Sequence, residues 1–236
     1  MTDLIMQLAG VIQRDIDGLT DVSHNVANAN SVGYKSSRAF NVFSPLLPVD
    51  GMRQGLDAVQ ARSYVDPAGG ALQTTGRVTD LALAGDAWFV LQTPDGAMLT
   101  RDGRFRVDAA GYLVGDQGYP LMGDDGPIQV RGGELVIDGA GVVRVDGREA
   151  GRISVMRVHA PHSVEPMGNG LYISHSPLLP AKDFVLHQGM QERSNAALGN
   201  DMVRMMEATR HVESMQRALS AYDGMLDSGI NQLGKD

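Results

Sequence analysis

Apolar residues recur at every seventh position along the C-terminal tail: Leu198, Met205, Val212, Leu219, Leu226 and Leu233. A second, weaker column of Ala208, Met215 and Tyr222 stands three residues after Met205, Val212 and Leu219. This a/d periodicity predicts a coiled-coil helix over 198–233. Charges between the columns alternate in sign (Arg204, Glu207, Arg210, Glu213, Arg217), with Glu213 and Arg217 in the favourable i,i+4 order. Ser194 and Asn195 offer capping side chains just ahead of it. The N-terminus carries a matching pattern. Ile5, Ile12, Leu19 and Val26 are spaced by seven, Leu8 and Val22 lie three after Ile5 and Leu19, and Ile16 lies four after Ile12. That predicts a helix over 2–28. Each seam needs a partner, and the two helices can supply one another.

The chain between them has a different texture. Leu81 and Leu83 alternate with alanine, and Trp88-Phe-Val-Leu91 is a short buried run. Phe105 and Val107 alternate with Arg104, Arg106 and Asp108, the pattern of a strand with one wet face. Asp-Gly pairs at 95, 102, 125, 138 and 146 are hairpin signals, and Ala110-Gly111 adds a turn. Residues 156–190, with Pro161, Pro166, Pro177 and Pro180, read as less regular. The expected class is therefore α+β. Long N- and C-terminal helices pair as a coiled coil, and a central all-β domain is inserted between them. The expected division is a helix and turn over 1–35, an extended connector over 36–75, a β-rich outer domain over 76–190 and a helix over 191–236.

Composition removes several functions. Lys+Arg 20 against Asp+Glu 28 gives a net charge of −8, and no basic cluster suits nucleic acid. With no cysteine there is no disulfide, no Cys-ligated zinc and no thiol nucleophile. No apolar run reaches the ~20 residues that span a bilayer. The start, Met1-Thr2-Asp3, turns amphipathic at once, so no cleaved signal peptide is expected.

Candidate chemistry is sparse. His159 and His162 are three apart in a Pro-rich stretch with no carboxylate at ligand spacing, so a metal site is not expected. The Asp-Gly pairs do not fit an EF-hand loop and read as turns. The nucleophile-elbow, phosphate-loop and zinc-protease patterns are missing. No cofactor and no small-molecule substrate is expected. Thr100-Arg101-Asp102-Gly103 reads as a strand end entering a tight hairpin, with Arg101 reaching a carboxylate. Met202, Met205, Met206 and Met215 read as adaptable interface packing. On spacing alone, Asn25 to Lys35 is a helix C-cap.

Three separated motifs also carry a resemblance. Asn25-Val-Ala27-Asn28 through Gly33-Tyr34-Lys35 resembles the N-terminal signature of the bacterial flagellar basal-body rod and hook family. Leu81-Ala-Leu-Ala-Gly85-Asp-Ala-Trp-Phe89, with Thr100-Arg101-Asp102-Gly103-Arg-Phe105 and Gly111-Tyr-Leu-Val114, resembles that family's β-domain core. Gln191-Glu-Arg-Ser194-Asn195, with Met202-Val-Arg-Met-Met206, resembles its C-terminal signature. Pro48-Val-Asp-Gly51 and Pro127-Ile-Gln-Val130 are most similar to its proximal-rod branch; distal-rod and hook-type members are the alternative. At Arg210-His211 the sequence departs from the family's usual Arg-Ala-Tyr. The resemblance implies a non-enzymatic axial subunit of the periplasmic rod. It implies export by the flagellar type III apparatus without a cleaved signal, and assembly with copies of itself and other rod proteins. A cell-envelope enzyme and a non-polymerising adaptor are the readings from other classes.

Overall fold

The computed structural model describes residues 2–43 and 59–233. Pro48-Val-Asp-Gly51 lies outside them. The chain forms two helices and a succession of short strands: α1 spans Thr2–Ala27 and α2 spans Leu198–Leu233. It divides into two compact units. One comprises residues 1–26, 39–62 and 197–236; the other comprises 27–38 and 63–196.

In the helical unit, α1 has 26 residues and α2 has 36. At 1.5 Å per residue they are roughly 39 and 54 Å long, so α1 cannot cover α2 along its length. The seam columns are distinguishable by burial. On α2, Met205, Ala208, Val212, Met215, Leu219 and Tyr222 are half-buried, as are Ile12, Leu19, Val22 and Val26 on α1. Ile5, Leu8, Leu226 and Leu233 lie on the helices, with side chains outside the described residues.

These columns do not make the expected coiled coil. Knobs-into-holes packing inserts each a and d side chain among four residues of its partner and buries it. No described seam residue on either helix is fully buried, and Ile16 and Leu198 are each 40% exposed. The described side-chain contacts between the helices are polar or weak. His211 Nδ1 lies 2.7 Å from Asp15 Oδ2, and Ser23 Oγ lies 3.9 Å from Met205 Sδ. The class is α+β, with two helices flanking a large all-β region, but without the coiled-coil pairing.

The β-rich unit is organised by a six-stranded antiparallel sheet. Its spatial order is Val164–Gly168, Leu171–Ser174, Gly96–Thr100, Trp88–Thr93, Val155–Val158 and Leu178–Pro180. The run Trp88-Phe-Val-Leu91 is buried throughout because both faces of this sheet are covered. Phe89 and Leu91 face a core with Leu81, Leu113, Leu121, Val143 and Ile153; Trp88 and Val90 face a second core with Leu99, Val158 and Tyr172.

Four of the Asp-Gly signals mark hairpin turns; Asp102-Gly103 does not. A Cβ on Gly103 would stand 1.5 Å from the Leu81 carbonyl oxygen, so this glycine permits a backbone crossing rather than a reversal. Val107 does not share Phe105's burial and is 43% exposed. Residues 156–190 are also more regular than their prolines suggested. Pro166 and Pro180 lie in the two edge strands, where a missing N–H costs no ladder bond.

Candidate functional site

Three stretches of chain converge inside the β-rich unit. After α1, the Ser31 N–H bonds to the Asn28 carbonyl at 3.0 Å, and Gly33, at φ 66°, turns the chain inward. Lys35 and Ser36 are buried as a result. From the other end, strand Met190–Glu192 pairs antiparallel with Leu72–Thr74 and carries the Glu192 side chain inward. The third stretch leaves strand Gly96–Thr100 and turns Arg101 into the same place.

Glu192 is the centre. Its Oε1 accepts from Lys35 Nζ at 2.7 Å and from the Gly70 N–H at 2.8 Å, and its Oε2 accepts from Arg101 Nη1 at 3.1 Å. Lys35 Nζ also donates to the Ala68 carbonyl at 2.7 Å. Arg101 donates to the carbonyls of Leu83, at 2.9 Å, and Gly85, and its guanidinium stands 5.6 Å over the Trp88 ring. Trp88 packs on Tyr172 with ring centroids 5.0 Å apart, and the Tyr172 hydroxyl accepts the Lys35 N–H at 2.9 Å. The Lys35, Arg101 and Glu192 side chains are each 1% exposed.

Two cations therefore share one carboxylate away from water. Burial pushes the Lys35 ammonium pKa down, and the Arg101 charge adds to that; Glu192 opposes both. Burial likewise lowers Arg101, against Glu192 and Asp86. Burial holds the Tyr172 phenol well above its ordinary range. An arginine keeps its charge even so, which is why a planar fork suits this position.

Asn195 forms a second layer. Its Oδ1 accepts the Ser36 N–H at 2.7 Å, and its Nδ2 donates to the carbonyls of Asp66 and Ala68 at 3.1 and 2.9 Å. The Asn195 N–H reaches the Tyr34 carbonyl at 3.3 Å, and the Gly33 N–H reaches the Glu192 carbonyl at 2.8 Å. Neither Ser194 nor Asn195 caps α2 as the sequence suggested. Ser194 Oγ accepts from the Ala196 N–H at 3.1 Å, and α2 opens with the Asp201 N–H bonded to the Ala197 carbonyl.

The other motif residues are placed as follows. Gly33, Tyr34, Lys35, Gly85, Arg101 and Asn195 meet at this junction. Phe89 and Phe105 pack edge to face in the core, 5.2 Å apart at 86°. Thr100 Oγ1 donates to the Gly170 carbonyl at 2.8 Å. Asp102 faces Arg104, 2.6 Å away, instead of joining Arg101. Asn25 is buried near the end of α1, Asn28 is half-buried and Ala27 is exposed. Arg101 does reach a carboxylate, but one 91 residues distant rather than within a hairpin. Sequence reasoning passed over Glu192 and Tyr172. A buried lysine and arginine require an anion, and Glu192 stood within the quoted C-terminal motif.

The junction's charged groups bind one another and three chain segments, with Arg101 Nε alone among their buried polar atoms lacking a hydrogen-bond partner, so its chemistry is that of a fastening. Among the described residues, no three His, Asp or Glu side chains gather as metal ligands would. No described helix is long and apolar enough to cross a membrane.

Comparison with known proteins places this fold in a family. Residues 82–154 match the model of the flagellar hook protein FlgE/F/G D1 domain, and residues 187–233 match that of the flagellar basal body rod FlgEFG protein C-terminal region. The flagellar basal-body rod protein FlgF of Mesorhizobium japonicum is 29% identical over 94% of this chain and 93% of its own. FlgF of Caulobacter vibrioides is 29% identical over 95% and 94%. The rod protein FlgG of Borreliella burgdorferi is 27% identical over 89% and 91%. Two matched domains in the family's order, and relatives aligned along nearly the whole length, put the junction and the helices in context: the chain belongs to the flagellar basal-body rod and hook family.

Proposed function

We propose that this chain is a subunit of the proximal rod, self-assembling with copies of itself and other axial proteins into a helical shaft that carries motor torque across the periplasm. The near-full-length alignment with FlgF-named rod proteins carries this reading. The helical unit supports it physically. Its heptad columns are only half covered, and Leu198, Met202, Val203 and Met206 on α2 are 40–53% exposed. Apolar rows on this scale suit contacts with neighbouring subunits. A heterologous contact whose rotation does not close builds a helix of subunits. The role is structural and non-catalytic. The subunit reaches its site through the flagellar type III apparatus without a cleaved signal.

The test is deletion of the gene in its own host, followed by imaging of purified basal bodies. Loss of the proximal segment, restored by the full chain, is the expected result. A complete proximal rod with the distal segment missing would move the chain to the distal-rod branch. Intact rods and normal motility in the deletion strain would overturn the reading.

A further inference from the structure

We infer that Glu192 is a reciprocal clasp: residues 33–36 and 192–195, which enter the β-rich unit from opposite ends of the chain, are held by the same contacts and released together. Each segment has one backbone bond to residues 66–71, from the Asp66 N–H to the Ser36 carbonyl and from the Arg193 N–H to the Ala71 carbonyl, and the rest of its fastening comes from across the junction. The Gly33 N–H is accepted by the Glu192 carbonyl, the Ser36 N–H by the Asn195 side chain and the Lys35 N–H by Tyr172. In return, the Asn195 N–H is accepted by the Tyr34 carbonyl. Residues 34–36 are outside any strand, and the strand bringing in Glu192 pairs only with Leu72–Thr74.

The charges make the dependence mutual. Glu192 is the common anion of Lys35 and Arg101. If the C-terminal segment lifts, two buried cations lose their carboxylate. If the N-terminal segment lifts, the carboxylate loses its shorter ion pair, and the Glu192 main-chain carbonyl loses the Gly33 N–H as well. Glu192 and Lys35 are 157 positions apart, so the unit closes only after almost the whole chain is present. Opening such a cluster is a cooperative local event, distinct from unfolding of the sheet core.

Amide hydrogen exchange on the full-length protein tests this. Glu192→Gln removes the charge but keeps the shape. It should speed exchange at Gly33, Ser36, Arg193 and Asn195 together by about ten- to hundredfold. Val90 and Leu99, paired in the central hairpin, should be unchanged. Lys35→Met alters only the N-terminal side, yet should speed Arg193 and Asn195 as much as Gly33 and Ser36. Asn195→Ala leaves every charge in place and should give the same paired pattern at smaller amplitude, which keeps the test available if Glu192→Gln fails to fold. Loosening confined to the mutated segment would overturn the clasp, and so would equal acceleration at Val90 and Leu99.

Discussion

Gly33 lies directly against the backbone of Arg101: a Cβ built on Gly33 would stand 2.2 Å from the Arg101 carbonyl carbon. Its φ of 66° is also one that L side chains rarely adopt. Gly33→Ala should therefore destabilise the β-rich unit by on the order of 3 kcal/mol, from backbone strain plus displacement of the Arg101 main chain. Thermal melts of the full chain will measure it. A melt within a degree of the parent would mean the two segments separate freely.

Arg101→Met should be among the most damaging single changes in the unit. It removes the donors to Leu83, Gly85 and Glu192 and unbalances a buried ion pair, a loss of about 3–5 kcal/mol. Arg101→Lys keeps the charge but not the fork, and should fall between parent and methionine variant. Denaturant unfolding at neutral pH ranks the three; equality of lysine with parent would show that charge alone suffices.

Tyr172 predicts an alkaline limit. Its phenol is raised above its ordinary value of 10.0 by burial. Above that pH the unfolded chain loses this proton first, so stability is full below about 10 and falls by up to ~1.4 kcal/mol per pH unit above it. Lys35 acts oppositely: its lowered pKa makes stability rise as pH climbs toward 10.5. The two separate by difference. Tyr172→Phe should be less stable at neutral pH, because the Lys35 N–H loses its acceptor, yet show a shallower decline above pH 10. Parallel curves for parent and variant would remove Tyr172 from the alkaline transition.

Leu219→Asp should abolish rod assembly and leave the β-rich unit's melt within about 0.5 kcal/mol of the parent, since Leu219 belongs to the helical unit and distant sites contribute additively. Leu219 is half-buried between Val212 and the last turns of α2, where an unpaired carboxylate costs several kcal/mol if a neighbouring subunit covers it. Arg217→Ala, at a side chain 78% exposed, should assemble normally. Rod recovery from cells carrying each variant decides the matter.

What the sequence disclosed was local. The seven-residue column from Leu198 to Leu233 spans α2 itself, because helical periodicity is written in neighbouring residues, whereas the helical segment expected from 191 opens with the strand Met190–Glu192 and turns helical only at Leu198. Asp146-Gly147 predicts a hairpin and forms one, both residues at positive φ. The coiled coil failed because a column of apolar residues says that a helix has a buried side, not what covers it. Asp102-Gly103 failed because its glycine answers to Leu81, some twenty positions earlier. The junction was half visible. Arg101 called for a carboxylate, but its choice of Glu192 over the adjacent Asp102 is set by strand pairing between Met190–Glu192 and Leu72–Thr74, which no local pattern encodes.

The prolines at the margins of the six-stranded sheet bear on how such a protein survives at high local concentration. In an assembly of the proposed kind, sheets of neighbouring subunits would be crowded together, and unprotected edge strands would offer a template for irregular, fibril-like stacking. Pro166 and Pro180 each withhold a hydrogen-bond donor on the outermost strands. Wrong associations through the sheet are thereby penalised at both of its margins by a property of the backbone alone, whatever the helices bind.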